Sequence, residues 1–314
     1  MDMTTYGVIG CGAVGGLYGA RLQQAGFDVH FMPHSDFDHV KRNGLLIESI
    51  NGDFHLPKVN VYPAPETMPP CDVLIVAVKA TQNRLFPQLL KAPLKENGFV
   101  LLLQNGLGGE EQAAAVVGPD RVVGGLPFLC SYKAGPGHIK HVDYGHVKIA
   151  EYKVDASFGG TTPRMGRLVS DFKQAGFELE PLPDLLLARW MKLVWNVPFN
   201  GLSVILNATT DELMANLDSR VLVEKLMIEM LDGARAFGRT IPQSFIQTML
   251  EYTLKMTPYK PSMRLDHDNR RPMEVEAIYG NPVRAAASKG VALPHTETLY
   301  RQLKFLDARK NENG

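Results

Sequence analysis

The sequence predicts two unlike halves: an α/β N-terminal domain of Rossmann type, built on a parallel sheet, and an all-α C-terminal domain. Three observations carry this reading. Short apolar runs alternate with helix-like stretches through the first half, the pattern of a parallel sheet covered on both faces. A glycine-rich turn follows the first of those runs. Beyond Glu180-Pro181-Leu182-Pro183-Asp184 the texture changes, and almost everything reads as helix. The boundary is placed at residue 183, giving domains 1–183 and 184–314.

Taken in order, the expected strands are Tyr6 to Ile9, Val29 to Met32, Val73 to Val78, Phe99 to Leu103 and Arg121 to Gly124. Their lengths suit buried strands, and all fall far short of the roughly 18 apolar residues that a membrane helix requires. A helix is expected over Val14 to Ala25, with Gly26 as its stop, and another over Glu110 to Val117. Gly137 to Glu151 alternates apolar and polar residues, which predicts antiparallel edge strands appended to the sheet. In the second half, Asp184 to about Leu206, Ser219 to Phe237, Pro242 to Lys255, Met273 to Lys289 and His295 to Ala308 carry apolar residues at three and four residue spacings. Asp184 is suited to cap the first of these helices. Most of their Leu, Met and Ile residues are expected simply to fill a bundle core.

Composition narrows the function. The chain has 314 residues, 45% hydrophobic and 21% charged, which is ordinary for a folded, non-fibrous protein. Lys+Arg and Asp+Glu both number 33, so the chain has no surplus charge with which to gather nucleic acid or an anionic membrane. A small-molecule site is favoured. The cysteines are Cys11, Cys71 and Cys130, with no CxxC pair and no histidine at zinc spacing, so neither a disulfide scaffold nor a metal site is expected. The opening residues carry no basic flank ahead of a long apolar run, which points to the cytoplasm.

Gly10-Cys11-Gly12-Ala13-Val14-Gly15 fits G-x-G-x-x-G directly after a strand and at the opening of a helix. In that context the first glycine permits a tight turn, the second lets backbone approach a pyrophosphate, and the third lets helix pack on strand, with the phosphates at the helix N-terminus. An NAD site usually places Asp or Glu at the end of the second strand to hold the ribose 2′-hydroxyl. This chain has Met32-Pro33-His34-Ser35 there, so His34 and Ser35 could receive a 2′-phosphate and NADP is favoured; Asp36 keeps NAD open. Two further loops follow buried strands on the same edge: Lys79-Ala80, and Gln104-Asn105-Gly106-Leu107-Gly108-Gly109. Lys79 and Asn105 are the candidates they offer. A surface lysine and a plain turn asparagine are the bland explanations.

The most informative segment is Trp190-Met191-Lys192-Leu193-Val194-Trp195-Asn196-Val197-Pro198-Phe199-Asn200. Lys192, Asn196 and Asn200 recur at i, i+4 and i+8, so they share one face of an otherwise apolar helix. A lysine and two amides make sense facing a polar cleft, although a solvated stripe would give the same spacing. Pro198 is expected to kink or interrupt the helix between the two asparagines. Farther on, Ser262 after Pro261 suits an N-cap, and Glu274 near a helix start gains from the helix dipole whether or not it serves a site.

Joined together, these residues resemble the ketopantoate reductase family over nearly the whole chain. The resemblance rests on the Gly10 to Gly15 loop, Val78-Lys79-Ala80, Gln104-Asn105-Gly106-Leu107-Gly108, Lys192 with Asn196 and Asn200, Ser262-Met263 with Asp266, and Glu274. It implies reduction of the 2-dehydropantoate ketone to (R)-pantoate with NADPH, a step toward pantothenate and coenzyme A. It further implies that Lys192 is the proton donor, that Asn196 and Asn200 orient the substrate, that Ser262 holds its carboxylate, and that Glu274 sits where substrate meets cofactor. Asn105 would touch nicotinamide and substrate, and Lys79 the cofactor. The helical half is of a kind that supports homodimers. The chain departs from the family at Tyr279-Gly280, where members carry Asn-Gly, at Tyr259, where Asn is common, and at His34, where Arg is common. Two tyrosines at those places would reshape the substrate cleft. The rivals are a relative acting on another 2-oxoacid, and a non-catalytic NADP-binding regulator.

Overall fold

The computed structural model describes residues 3–258 and 260–311. Tyr259 therefore lies outside the described residues. The chain forms two compact units, one of Met1–Gln104 with Gly109–Leu185 and one of Asn105–Gly108 with Leu186–Gly314.

In the first unit the order is β1 (Thr5–Ile9), α1 (Ala13–Gln24), β2 (Asp28–Met32), α2 (Phe37–Asn43), β3 (Leu45–Ser49), β4 (Phe54–Leu56), β5 (Asn60–Val61), β6 (Cys71–Val76), α3 (Phe86–Leu89), β7 (Leu94–Leu102), α4 (Gly109–Val117), β8 (Val122–Gly135), β9 (His138–Glu151), α5 (Pro163–Gln174) and β10 (Leu179–Pro181). These strands make one sheet in the order β4-β3-β9-β8-β7-β6-β1-β2-β5, with β10 beside β9. The run from β5 to β8 is parallel throughout. Alternation along its strands sends Val8, Val73, Ile75 and Leu101 into one apolar cluster and Ile9, Leu74, Val76, Val100 and Leu102 into another. Both faces are thus covered, as a parallel sheet requires. Because β1 pairs with β2 on one side and β6 on the other, the loops after β1 and β6 leave the sheet where the strand order reverses, the usual ligand position in such folds.

The segment expected as edge strands is not at an edge. β9 pairs antiparallel with β8 on one side and, on the other, parallel with β3 through His138–His141 and with β10 through Val147–Ile149. Tyr144, with φ 62°, turns the strand between those two partners. Strand β8 is also much longer than Arg121 to Gly124, because its pairing with β9 extends it to Gly135.

The second unit contains α6 (Leu185–Ile205), α7 (Thr210–Ala215), α8 (Leu217–Ala236), α9 (Ser244–Lys255), α10 (Ser262–Asp268), a π-helical turn over Glu276–Gly280, α11 (Asn281–Ala287) and α12 (Pro294–Asn311). The sequence pattern marked neither α7 nor α10, both shorter than two full turns and defined mainly by their caps. The predicted helix Met273 to Lys289 begins instead as the π turn. The core gathers around α6, where Trp190, Leu193, Val194, Val197 and Phe199 are buried. α6 runs on through Pro198, so of the expected kink or interruption the interruption does not occur. No helix among the described residues is long and apolar enough to cross a membrane.

Trp190 packs so tightly on α8 that a Cβ at Gly233 would stand 2.4 Å from its ring. Gly233→Val should cost about 1–3 kcal/mol of stability through overpacking. Both tryptophans, Trp190 and Trp195, lie in α6, so urea unfolding followed by tryptophan fluorescence reads the helical unit, and an unshifted midpoint would contradict this packing.

Candidate active site

In the first unit the glycine loop has the build of a phosphate cradle. Gly10 adopts φ +95°, and a Cβ there would lie 2.8 Å from the Val78 backbone nitrogen. A Cβ at Gly15 would meet the Gly10 carbonyl at 2.3 Å, so only glycine lets α1 start this close to the strand. Gly12, the N-cap of α1, is different: nothing lies within 4 Å of where its Cβ would be. The three glycines thus divide into turn, open approach and close packing, the division a bound pyrophosphate requires. Cys11, Ala13 and Val14 complete the turn, and burial pushes the Cys11 thiol well above its usual range.

Gln104 ties the neighbouring loop in place. Its Nε2 donates to the Val78 carbonyl at 2.7 Å and to Asn83 Oδ1 at 2.7 Å. Exposed Lys79 follows directly at the start of a 3-10 turn over Ala80–Leu85. At the end of β2, His34 and Ser35 are exposed while Asp36 is buried. Asp36 accepts from Lys133 Nζ at 2.6 Å, from the Gly137 N–H at 3.0 Å and from Ser35 Oγ at 3.0 Å. Burial alone would raise the pKa of this carboxyl, but these bonds outweigh it and hold the group below the usual carboxylate range. Asp36 is therefore committed to the protein's own donors.

The second unit assembles the other candidates. Lys192 lies on α6 and is half-buried. Its pKa is pushed down to about 7, first by desolvation and then by Arg189 one turn earlier, while Glu274 pulls it back up. Arg189 and Glu274 are themselves only 4% exposed. Sequence reasoning passed over Arg189, although its i, i+3 spacing to Lys192 was visible.

The two asparagines of the ladder have different surroundings. Asn196 is 7% exposed, and among the described residues its side chain makes no hydrogen bond. A buried amide left this way favours any ligand that can pair with it. Asn200, 2% exposed, is already engaged. Its Nδ2 donates to the Asn196 carbonyl at 3.1 Å, and its Oδ1 accepts from the Met263 N–H at 3.1 Å and from Ser262 Oγ at 3.5 Å. Ser262 is accordingly not the N-cap of α10. It is the first helical residue, Pro261 before it offers no side-chain acceptor, and Asn200 caps the helix from α6 instead.

Asn105 belongs to this unit through its loop. Gly106, at φ +84°, presses on the π turn so closely that a Cβ would lie 2.2 Å from the Ala277 carbonyl. The Leu107 N–H donates to that same carbonyl at 2.9 Å, and Asn281 Nδ2 donates to the Leu107 carbonyl at 2.6 Å. The Asn105 side chain, half-buried, has no hydrogen bond among the described residues. Tyr279 does not behave as expected: it is fully buried, and its hydroxyl donates to the Val197 carbonyl at 2.9 Å. Ring and hydroxyl are both consumed in the core of the helical unit.

Comparison with known proteins gives a consistent result. The family model described as "Ketopantoate reductase PanE/ApbA" matches residues 6–153, and its C-terminal counterpart matches residues 184–307. The chain is 55% identical over 314 residues, 100% of its length and 98% of the relative's, to a 2-dehydropantoate 2-reductase of Nostoc sp.. Among solved structures it resembles the 2-dehydropantoate 2-reductases of Geobacter metallireducens (39% identity, TM-score 0.91, covering 97% of this chain and 99% of that one) and Methylococcus capsulatus (31%, 0.87, 98% and 97%). A dimeric ketopantoate reductase of Staphylococcus aureus, 21% identical with a TM-score of 0.82 and covering 98% and 99%, shares the fold.

The lowered pKa of Lys192 makes a stability prediction independent of any activity. A lysine whose folded pKa lies below its usual 10.5 opposes folding fully below about 7, and the opposition fades as pH rises toward 10.5. Lys192→Met should therefore raise the melting temperature most near pH 6 and least near pH 10, a comparison that calorimetry can make. A difference that does not vary with pH would contradict the burial of this ammonium.

Proposed function

The chain belongs to the ketopantoate reductase family, and on that premise we propose that it reduces the ketone of 2-dehydropantoate to (R)-pantoate with NADPH. The observation that carries the reading is the lysine ammonium held near neutrality on α6 beside an uncommitted amide. Reduction turns a C=O into a CH–OH: a hydride joins the carbon and a proton joins the oxygen. A nicotinamide cofactor supplies the hydride when bound. Lys192 Nζ supplies the proton, stabilises the alkoxide as charge develops, and regains its proton from solvent. Near neutral pH it donates readily, because desolvation has already weakened its hold on the proton. Glu274 offsets part of that desolvation and keeps a charged fraction available.

Substrate orientation falls to neutral groups. Asn196 and Asn105 offer free amides, Ser262 turns its hydroxyl proton from the 3.5 Å contact with Asn200 Oδ1 to the substrate carboxylate, and Asn200 acts mainly by holding the Met263 N–H and with it the start of α10. Arg189 and Lys192, cations one turn apart, supply the positive local field that an anionic 2-oxoacid needs, although the whole chain is neutral.

In the first unit, the Gly10 to Gly15 loop would hold the pyrophosphate, with Lys79 beside it. NADPH is proposed over NADH because Asp36, the one carboxylate near the end of β2, is paired with Lys133 and capped by Gly137, so it has little capacity left for a ribose hydroxyl. Exposed His34 receives the 2′-phosphate, with Ser35 turning its hydroxyl proton to it from Asp36. The place of the reaction is the cytoplasm, in pantothenate and coenzyme A synthesis. A second copy of the chain is the proposed partner, seated on α8, where Leu217, Val221 and Ile228 are 80%, 50% and 43% exposed along one stripe.

Purified protein should oxidise NADPH with 2-dehydropantoate faster than with a panel of other 2-oxoacids. Lys192→Ala should lower kcat by roughly 10²–10⁴, the usual worth of a positioned acid. Preference for another oxoacid moves the chain to a related substrate, and NADPH binding without turnover makes it a regulator. A separate readout is the pH profile: kcat/KM for reduction should fall as pH rises through the free-enzyme pKa of about 7, because the protonated lysine is the active form. A profile flat across that range would exclude Lys192 as the donor.

A further inference from the structure

The Tyr279 hydroxyl occupies an unusual position in the helical unit. It donates to the Val197 carbonyl at 2.9 Å, and it lies so close to Gly201 that a Cβ there would stand 2.7 Å from it. Val197 and Gly201 are four residues apart, so the tyrosine hydroxyl sits on one rung of the α6 ladder, bonded to its carbonyl end and packed against its N–H end. A side chain entering the ladder in this way is one of the few devices that set the local pitch of a helix. Pro198 lies inside the same rung and has no N–H to give the Val194 carbonyl, so this is already the least self-sufficient turn of α6.

The rung has functional neighbours on both sides. Asn196 precedes Val197, and Asn200 precedes Gly201. Asn200 in turn holds the Met263 N–H and Ser262 Oγ, so a shift of this turn passes directly to the hydroxyl of Ser262. Tyr279 itself stands in the π-helical turn Glu276–Gly280, two residues after the Ala277 carbonyl on which the Asn105 loop is pinned through Leu107. π-helical turns recur at functional sites. One irregular turn therefore meets two of the elements that carry the site's amides, and its only polar side-chain atom buried in the core is spent on α6.

We propose that Tyr279 is a positioning residue: its hydroxyl, bonded into the Val197–Gly201 rung of α6, fixes the relative placement of Asn196 and Asn200 and, through Asn200, of Ser262. The inference rests on the reading of those residues as the substrate-orienting set. It also gives the departure from Asn-Gly at Tyr279-Gly280 a physical meaning. The tyrosine acts from behind the helix and never touches the substrate. Gly201 is part of the same device, since a Cβ there would lie 2.7 Å from the hydroxyl and 2.6 Å from Leu299 Cδ2.

Tyr279→Phe removes the hydroxyl and keeps the ring. It should raise KM for the oxoacid about tenfold, with a smaller fall in kcat and an unchanged Kd for NADPH by fluorescence titration. Gly201→Ala, which displaces the hydroxyl from the other side, should give the same signature, and the double variant should be no worse than either alone. Leu250→Ala, a core truncation that lowers stability without touching the rung, should leave KM where it is. Independently of activity, the side-chain amide NMR signals of Asn196 and Asn200 should move in Tyr279→Phe and stay in Leu250→Ala. The proposal is overturned if Tyr279→Phe leaves both KM and those signals unmoved, or if Leu250→Ala reproduces its KM effect. If the wild type reduces no oxoacid, or Lys192→Ala keeps full turnover, the proposed function fails. The amide signals alone then judge the strut.

Discussion

Keeping a lysine ammonium on the apolar helix α6 is the constraint around which the helical unit is organised. Charge of this kind is costly away from water, and a protein commonly answers the cost by lowering the pKa. Here Lys192 falls to about 7, with Arg189 adding repulsion and Glu274 returning part of the lost stabilisation. A lysine on a solvated face would hold its proton too tightly to give it up near neutrality. One with no carboxylate nearby would have less reason to hold it at all. The usable range lies between those limits; desolvation sets it first, and Arg189 and Glu274 adjust it in opposite directions.

The remainder of the unit holds its polar groups still around that centre, and it does so by spending some amides so that others stay free. Asn200 is used up on Asn196, Met263 and Ser262, and Tyr279 on the α6 backbone. Asn196 and Asn105 are left with their hydrogen-bonding capacity open. Backbone contacts from Leu107 and Gly106 to Ala277 fix the loop that carries Asn105. In the sheet unit the same economy governs Asp36, whose pairing with Lys133 and Gly137 removes the one carboxylate that would favour a ribose hydroxyl over a phosphate.

Much of this was legible in the sequence where a single local pattern carries the information. The glycine loop, the alternation of strand and helix, and the i, i+4, i+8 ladder of Lys192, Asn196 and Asn200 are each set by spacing within a dozen residues or so. The missed features depend on partners distant in the chain. The place of β9 inside the sheet is decided by Leu45–Ser49 and Leu179–Pro181, short strands with no strong pattern of their own. The spacing that grouped Asn196 with Asn200 could not show that one of them caps α10 at Met263, 63 residues away. Nor could it show that Tyr279 reaches back 82 residues to Val197, or that Asp36 is neutralised by Lys133, 97 residues on. Pro198 leaves the Val194 carbonyl without its usual N–H, yet α6 continues through it.

The account stands or falls on the protonation of one group, and that can be observed directly. With lysines labelled at Cε by ¹³C, the Lys192 resonance, assigned by comparison with Lys192→Met, can be followed by NMR from pH 5 to pH 11. A midpoint near 7, well below the 10.5 usual for a solvated lysine, is the result expected of a desolvated proton donor acted on by Arg189 and Glu274. A Lys192 that titrates with the rest would mean that its ammonium is fully solvated, and the helix would carry an ordinary surface charge.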